Sequence, residues 1–337
     1  MDATPDHSVQ NVLKSYHDIL HYSRHGPDLG QSAAILEGWE HTDSDIVAWL
    51  CADDYYFPYT FEEVEKIFTS RPDVDVIYGD SVFIDQDGRF LSYYAGTNSD
   101  ISLILRSCCI SQPSCFVRRE VLKRMGTVDP NLHYTMDWDL WTRLYKGGAK
   151  FYYICKPLSV VRICPETKTA SRSRRRYAEI NEHLKANVNL YTRIRTLLGS
   201  YYYDLSLQRI SLMDEIVFCG LKVLLSIKGF FRKYYPSRRN MLYGFERGTN
   251  RVHGECDIFL PWYGDRPPRR MIVLCTDARN IEFYINGNRR NIASVSRAEG
   301  GHMYIVNISD FVSNLLHLRF VSLSGEPWQL LSLELLC

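Results

Sequence analysis

Several absences narrow the reading of this chain before any motif is considered. It has no Cys-x-x-Cys pair, and none of its ten cysteines stands in a Cys/His spacing that builds a zinc module. Ten cysteines in 337 residues are too sparse for a disulfide scaffold. Buried thiols in a reducing compartment are the expectation. The N-terminus is acidic and polar with no apolar run behind it, so no secretory leader is expected there. No stretch of 18 uncharged apolar residues occurs, which argues against a spanning helix. Neither charge sign dominates, since 40 basic residues face 39 acidic ones. No nucleic-acid partner is expected.

What is present is ordinary globular composition, with 45% hydrophobic and 23% charged residues. The length suggests two domains of about 150 residues. The near-zero net charge hides a division. Residues 1–170 hold 16 basic and 24 acidic residues, net −8. Residues 171–240 hold 14 and 5, net +9, and residues 241–337 hold 10 and 10. An acidic front, a basic middle and a neutral end suggest three regions with different partners.

Apolar residues recur at helical spacing over 8–22, where Ser8 or Asp6 can cap, and again over 31–40. The short apolar run 45–50 reads as a buried parallel strand that stops at Ala52-Asp53-Asp54. A helix is expected over 61–68, a strand over 74–78, and a hairpin around Asp87-Gly88. Helices over 118–125 and 137–147 and a strand over 150–163 complete an α/β pattern with a largely parallel sheet. Residues 171–240 read as mostly helical. Beyond 257, short β-branched runs and the Asn286-Gly287 turn signal indicate a separate β-sandwich.

Three clusters carry candidate chemistry. Asp53-Asp54 ends a buried strand, where ligands of open α/β sheets bind, and paired carboxylates there can hold a hard divalent cation. A solvated turn or a cap for the next helix fits the same pair. Asp137 opens a helix, where it can accept a proton from a substrate hydroxyl or serve as a cap. Trp138 and Trp141 can stack on a sugar, although their three-residue spacing also suits core packing. Arg162, Cys164 and Lys168 form a cationic segment that can stabilise a departing diphosphate or simply lie in solvent.

Taken in order, the chain resembles the family 2 glycosyltransferases of the GT-A fold. The matching stretches are Asp28-Leu29-Gly30-Gln31-Ser32, Cys51-Ala52-Asp53-Asp54-Tyr55-Tyr56-Phe57-Pro58 with the strand before it, Val76-Ile77-Tyr78-Gly79-Asp80, Ser111-Gln112-Pro113-Ser114, and Met136-Asp137-Trp138-Asp139. Arg162-Ile163-Cys164-Pro165 and Lys168-Thr169 close the series. The resemblance covers about 1–190. It implies a GT-A-like (Rossmann-like) mixed sheet, followed here by helices and the small all-β sandwich. The strand and helix that open the domain in other members have no counterpart before Asp2, so the expected sheet lacks that first unit, through an internal start or a shortened gene. The domains expected are 1–190 for the transferase, 191–240 for a basic helical linker and 241–337 for the sandwich.

The resemblance implies an inverting hexosyltransferase moving sugar from a nucleotide-diphosphate donor to a glycan or lipid-linked acceptor, in polysaccharide biosynthesis. Asp137 takes the role of base. Asp54, with Asp53, binds a Mn²⁺ or Mg²⁺ ion. Asp2, Asp28, Gly30, Gln31, Asp53, Gln112, Arg162 and Lys168 bind the donor, and Trp138 and Trp141 lie on the acceptor side. Cys164 stands where other members usually carry a metal-ligating His, and Ala33 and Leu36 replace a family Asp and Asn. The competing class is a catalytically impaired descendant that binds glycans or a partner, through aromatics such as Trp262, Tyr263 and Trp328.

A last expectation concerns membranes. The apolar stretch 210–231 lies between Arg172, Arg174, Arg175 and Arg176 and a second cluster, Arg232, Lys233, Arg238 and Arg239. On a helix, Ile210, Met213, Val217, Leu221 and Leu224 share one face. Such a helix can lie on an anionic leaflet or in a core between domains. A cytoplasmic protein, peripheral on the cytoplasmic membrane face, is expected.

Overall fold

A computed structural model describes residues 1–88, 90–94, 100–164, 167–168, 173–207, 211–226, 242–246, 250–261, 268–276, 280–298, 300–308, 315–324 and 326–336. Trp262, Tyr263, Arg172, Ile210 and the cluster Arg232, Lys233, Arg238 and Arg239 lie outside these residues.

The first part of the chain runs α1 (Ser8–Leu13), α2 (Gln31–Glu40), β1 (Ile46–Val47), β2 (Tyr55–Tyr56), α3 (Thr60–Ser70), β3 (Val76–Ile84), β4 (Phe90–Tyr94), β5 (Cys115–Arg118), α4 (Arg119–Met125), α5 (Met136–Lys146) and β6 (Phe151–Arg162). The six strands form one mixed sheet in the order β1-β5-β3-β6-β2, with β4 on β3. Only β3 and β6 pair in parallel among the described ladders. This corrects the expected run 45–50. It yields two strand residues, antiparallel to β5, because Val47 finds its partner in Val117 rather than in a parallel neighbour.

The central strand β3 is buried along all nine residues. Its alternation sends Val76 and Tyr78 into a core with α2, α4 and α5, while Ile77 faces a second core built on α3. An irregularity at Asp80 flips the parity, so Val82 and Ile84 join that second core. Gly79 permits the close approach of β6, since a Cβ there would lie 2.6 Å from Leu158 Cγ. The helix expected over 8–22 shortens to α1 and one further turn, because its apolar residues pack on little: Ile19 is 79% exposed.

Three helices follow, α6 (Arg174–Asn187), α7 (Leu190–Leu207) and α8 (Leu212–Ser226). On α8, Val217, Phe218 and Leu221 pack against Leu198, Tyr201, Tyr202 and Leu205 of α7. Leu212, Met213, Ile216 and Val223 point to solvent, between 59% and 78% exposed. The single apolar face expected from spacing is therefore divided, with Met213 outside and Val217 inside.

The remaining strands are β7 (Leu242–Phe245), β8 (Arg251–Pro261), β9 (Arg270–Thr276), β10 (Ile281–Ile285), β11 (Asn288–Arg290), β12 (Ile292–Ala298), β13 (Gly301–Asn307), β14 (Leu315–Ser322) and β15 (Pro327–Leu336). All their ladders are antiparallel. They form one continuous sheet rather than two, ordered β11-β10-β14-β8-β15-β9-β13-β12 with β7 on β8. The sheet curls on itself: Phe283 of β10 meets Tyr304 of β13 at 5.3 Å between ring centroids, although four strands separate them in the order. Long β8 makes the bend, pairing β15 through 251–253 and β14 through 255–261. Asn286 and Gly287, both at positive φ, form the tight turn read from sequence. Trp328 is 2% exposed and packs in this core, which removes it from the surface aromatics.

The curled sheet meets the mixed-sheet part of the chain directly. Phe259 and Tyr243 belong to the same core as Phe57, Tyr59 and Val64. At its centre Lys156 Nζ lies 3.2 Å from Glu63 and 3.0 Å from Asp257, and 4.2 Å from the Tyr59 ring centroid. His317 Nε2 lies 2.6 Å from Asp257 and its ring stacks on Phe259 at 4.4 Å.

Candidate functional site

The segment after β1 turns sharply, with the Asp54 amide donating to the Cys51 carbonyl at 3.1 Å. That turn brings the Cys51 thiol and the carboxylates of Asp53 and Asp54 together, one ligand atom of each lying within 4.8 Å of the others. Asp54 is partly buried and accepts the backbone N–H of Arg162, at the end of β6, at 3.1 Å. Burial is the main force on its carboxyl, opposed by that amide and aided by Asp53, and raises it to about 7. The Cys51 thiol is pushed up to about 11, first by burial and then by Asp54 and Asp53, with Lys168 opposing and Asp137 adding. Cys51 thus lies within the field of four residues singled out from sequence.

A chain of contacts runs from Lys168 through Cys51 to Gln112. Lys168 Nζ donates to Gln31 Oε1 at 2.8 Å, and Gln31 Nε2 faces Cys51 Sγ at 3.4 Å. Cys51 Sγ lies 3.9 Å from Gln112 Oε1, and Gln112 Nε2 donates to the Trp49 carbonyl at 2.6 Å. Asp137 sits in the first turn of α5, half-buried, and accepts the Trp138 amide at 2.7 Å. Burial raises its carboxyl to about 6 despite backbone hydrogen bonds that lower it. The acidic pair, a half-buried carboxylate with a raised pKa and a lysine tied to both Gln31 and the loop before α5 all act on the Cys51 thiol.

Comparison with known proteins decides the family. The model of the family described as "Glycosyltransferase like family 2" matches residues 7–182, more than half of the chain. The chain belongs to this family. An uncharacterised glycosyltransferase of Rickettsia typhi is 27% identical over 159 residues, 43% of this chain and 48% of that protein. The chain thus spans about half the length of that curated relative. The O-antigen biosynthesis protein RfbC of Myxococcus xanthus is 28% identical over 141 residues, 42% of this chain and 11% of its own. Among solved structures, a mannosyltransferase from Pyrobaculum calidifontis in complex with GDP-Man and Mn²⁺ aligns with a TM-score of 0.43 and 15% identity, over 69% of this chain and 71% of that one.

Within this family 2 chain, several expected residues are placed differently. Trp141 is fully buried against Trp49, at 5.6 Å between centroids, and Trp138 is 5% exposed with its indole N–H on the Ile104 carbonyl. Both are core residues, so the acceptor-side expectation is corrected. The helical spacing that suggested stacking serves packing. Cys164 does not join the acidic pair; the thiol that does is Cys51. Arg162 gives Asp54 its backbone amide, while its guanidinium donates to the Gln86 carbonyl at 2.7 Å. Asp2 has both oxygens engaged, by Thr4 and by His25 Nδ1 at 2.8 Å. The Thr4 hydrogen bonds, followed by that of His25, hold its carboxyl down to about 2. Asp28 accepts the Gly30 amide at 2.8 Å, which sets the turn into α2. Cys51 is the residue missed from sequence; its place two residues before Asp53 is the signal that marks it.

Proposed function

We propose that the chain is an inverting glycosyltransferase that moves a hexosyl group from a nucleotide-diphosphate donor to a hydroxyl of a glycan or lipid-linked acceptor. The observation that carries this reading is the meeting of Asp53 and Asp54 with Cys51 while Asp137, Lys168 and Gln31 lie around the same thiol. Asp137 accepts the acceptor proton as the hydroxyl attacks the anomeric carbon from the face opposite the leaving group. Lys168 adds positive charge beside the Cys51 thiol, where a diphosphate would rest, while the Arg162 amide holds Asp54 in place. The relative named for O-antigen biosynthesis supports a polysaccharide product.

The donor set fits a divalent cation. Two adjacent carboxylates suit Mg²⁺ or Mn²⁺, and the neighbouring thiol favours the softer Mn²⁺. Such an ion, when bound, neutralises diphosphate charge. Asp54→Asn is expected to weaken Mn²⁺-dependent binding of UDP or GDP at least tenfold in calorimetry and to leave metal-free binding unchanged. Equal Mn²⁺ dependence in variant and wild type would remove Asp54 from the metal site.

The exposed apolar row of α8 and the +9 charge of 171–240 support docking on the cytoplasmic face of an anionic membrane. No helix among the described residues is long and apolar enough to cross one. Flotation with phosphatidylglycerol vesicles should recover the protein, and added salt or Ile216→Asp with Val223→Asp should release it. Equal recovery on neutral vesicles would count against the charge component, and no recovery against the surface as a whole.

A further inference from the structure

We infer that Glu179 is a positioning residue for the catalytic carboxylate. This rests on reading Asp137 as the base. Glu179 lies on α6, and its side chain is only 12% exposed. Its Oε2 accepts three successive backbone amides, from Tyr134 at 2.6 Å, His133 at 3.1 Å and Thr135 at 3.2 Å. Its Oε1 lies 3.2 Å from the His133 amide and 3.2 Å from Arg175 Nε, one helical turn away. These three residues run directly into α5, whose first turn carries Asp137.

The arrangement replaces the usual cap. Thr135 precedes the helix, as a capping threonine would, yet its side chain makes no cap bond and its buried Oγ1 has no partner. The carboxylate comes instead from a distant helix and places negative charge at the positive end of α5. The same loop is held from its other side, where Lys168 Nζ reaches the His133 carbonyl at 3.3 Å as well as Gln31. The segment before the base is thus clamped between α6 and the residues of the donor side.

The consequence for chemistry follows from satisfying the amides elsewhere. Three converging, partly buried amides attract whichever carboxylate can reach them. With Glu179 present, Asp137 accepts the Trp138 amide and is not needed by the loop. Without Glu179, a carboxylate of the same turn, Asp137 foremost, would reach back to the freed loop amides, as the first-turn acid of a capping box does, and lose its line to the acceptor hydroxyl. A displacement of about 1 Å at such a group costs on the order of a hundredfold in rate.

The test uses the full chain with Glu179→Ala, Glu179→Gln and Asp137→Asn in parallel. Readouts are turnover of UDP- and GDP-sugars with Mn²⁺, affinity for UDP and GDP with Mn²⁺, thermal midpoint and amide exchange over 133–137. Glu179→Ala should lower kcat at least thirtyfold, keep nucleotide affinity within twofold and speed exchange of the His133, Tyr134 and Thr135 amides. Glu179→Gln, which keeps an acceptor oxygen, should recover at least a third of kcat. Unchanged exchange in Glu179→Ala, or nucleotide affinity falling in step with kcat, overturns the inference. An active Asp137→Asn would instead overturn the base assignment, with the exchange result still deciding whether Glu179 holds the loop.

Discussion

Asp137→Asn is expected to lower transfer by a hundredfold to ten-thousandfold, the usual contribution of a positioned general base, with nucleotide affinity unchanged. Asparagine preserves the shape of the side chain and its bond from the Trp138 amide, so the helix start should persist. What it removes is proton acceptance. The wild-type rate should also report the group's environment. Burial first, against backbone hydrogen bonds, sets the carboxyl to about 6. The base works only when ionised, so kcat should fall about tenfold per pH unit as pH drops below about 6 and level off above it. A profile flat from pH 5 to pH 8, or an Asp137→Asn variant as fast as wild type, would place the base elsewhere.

Lys156→Ala is expected to cost about 3–5 kcal/mol of stability, because it leaves buried carboxylates without their cation. Lys156 is 6% exposed and touches both Glu63 of α3 and Asp257 of the curled sheet. Removing it should lower the thermal midpoint by roughly 10 °C. The cluster should also weaken in acid. Burial lowers the His317 pKa, with Asp257 opposing, so His317 is neutral in the fold and its contribution diminishes as pH falls through the unfolded value of about 6.5. Burial raises Asp257, but the His317 hydrogen bond and the Lys156 charge outweigh it, so its contribution is present above the ordinary Asp value of about 4 and is lost below it. A Lys156→Ala midpoint within 2 °C of wild type would show that the two parts of the chain do not depend on this contact. We further propose that residues 241–337 have a core sufficient to fold alone, with the Phe259 and Tyr243 face exposed as the weak point. Cooperative unfolding of that segment expressed alone checks this.

Local signals read well where the physics is local. The apolar run 74–78 reads as a strand, which β3 carries on through Gly79-Asp80-Ser81 to Ile84, and Asn286-Gly287 turns at positive φ. The acidic pair was legible from the apolar run 45–50 before it, although β1 itself ends at Val47. Other features were hidden because they depend on partners far along the chain. β1 looked like a parallel strand, but its pairing with β5 is set across the sheet. Trp138 and Trp141 have a spacing that serves stacking and packing alike, and only the position of Trp49 and Ile104 decides between them. Cys51 gains meaning from the turn that folds it over Asp53 and Asp54. Glu179 meets the loop before α5 only after β6 and α6 have folded back across it. Lys156 sat in a strand pattern, where no periodicity announces a buried ion cluster between the mixed sheet and the curled sheet.

The anomeric form of the sugar first released from an α-linked UDP- or GDP-sugar, followed by proton NMR in the presence of Mn²⁺, tests the central claim most directly. Attack on the face opposite the diphosphate, driven by Asp137, requires the β-anomer to appear first and Asp137→Asn to release almost none. The α-anomer appearing first, or equal release by wild type and Asp137→Asn, would contradict it.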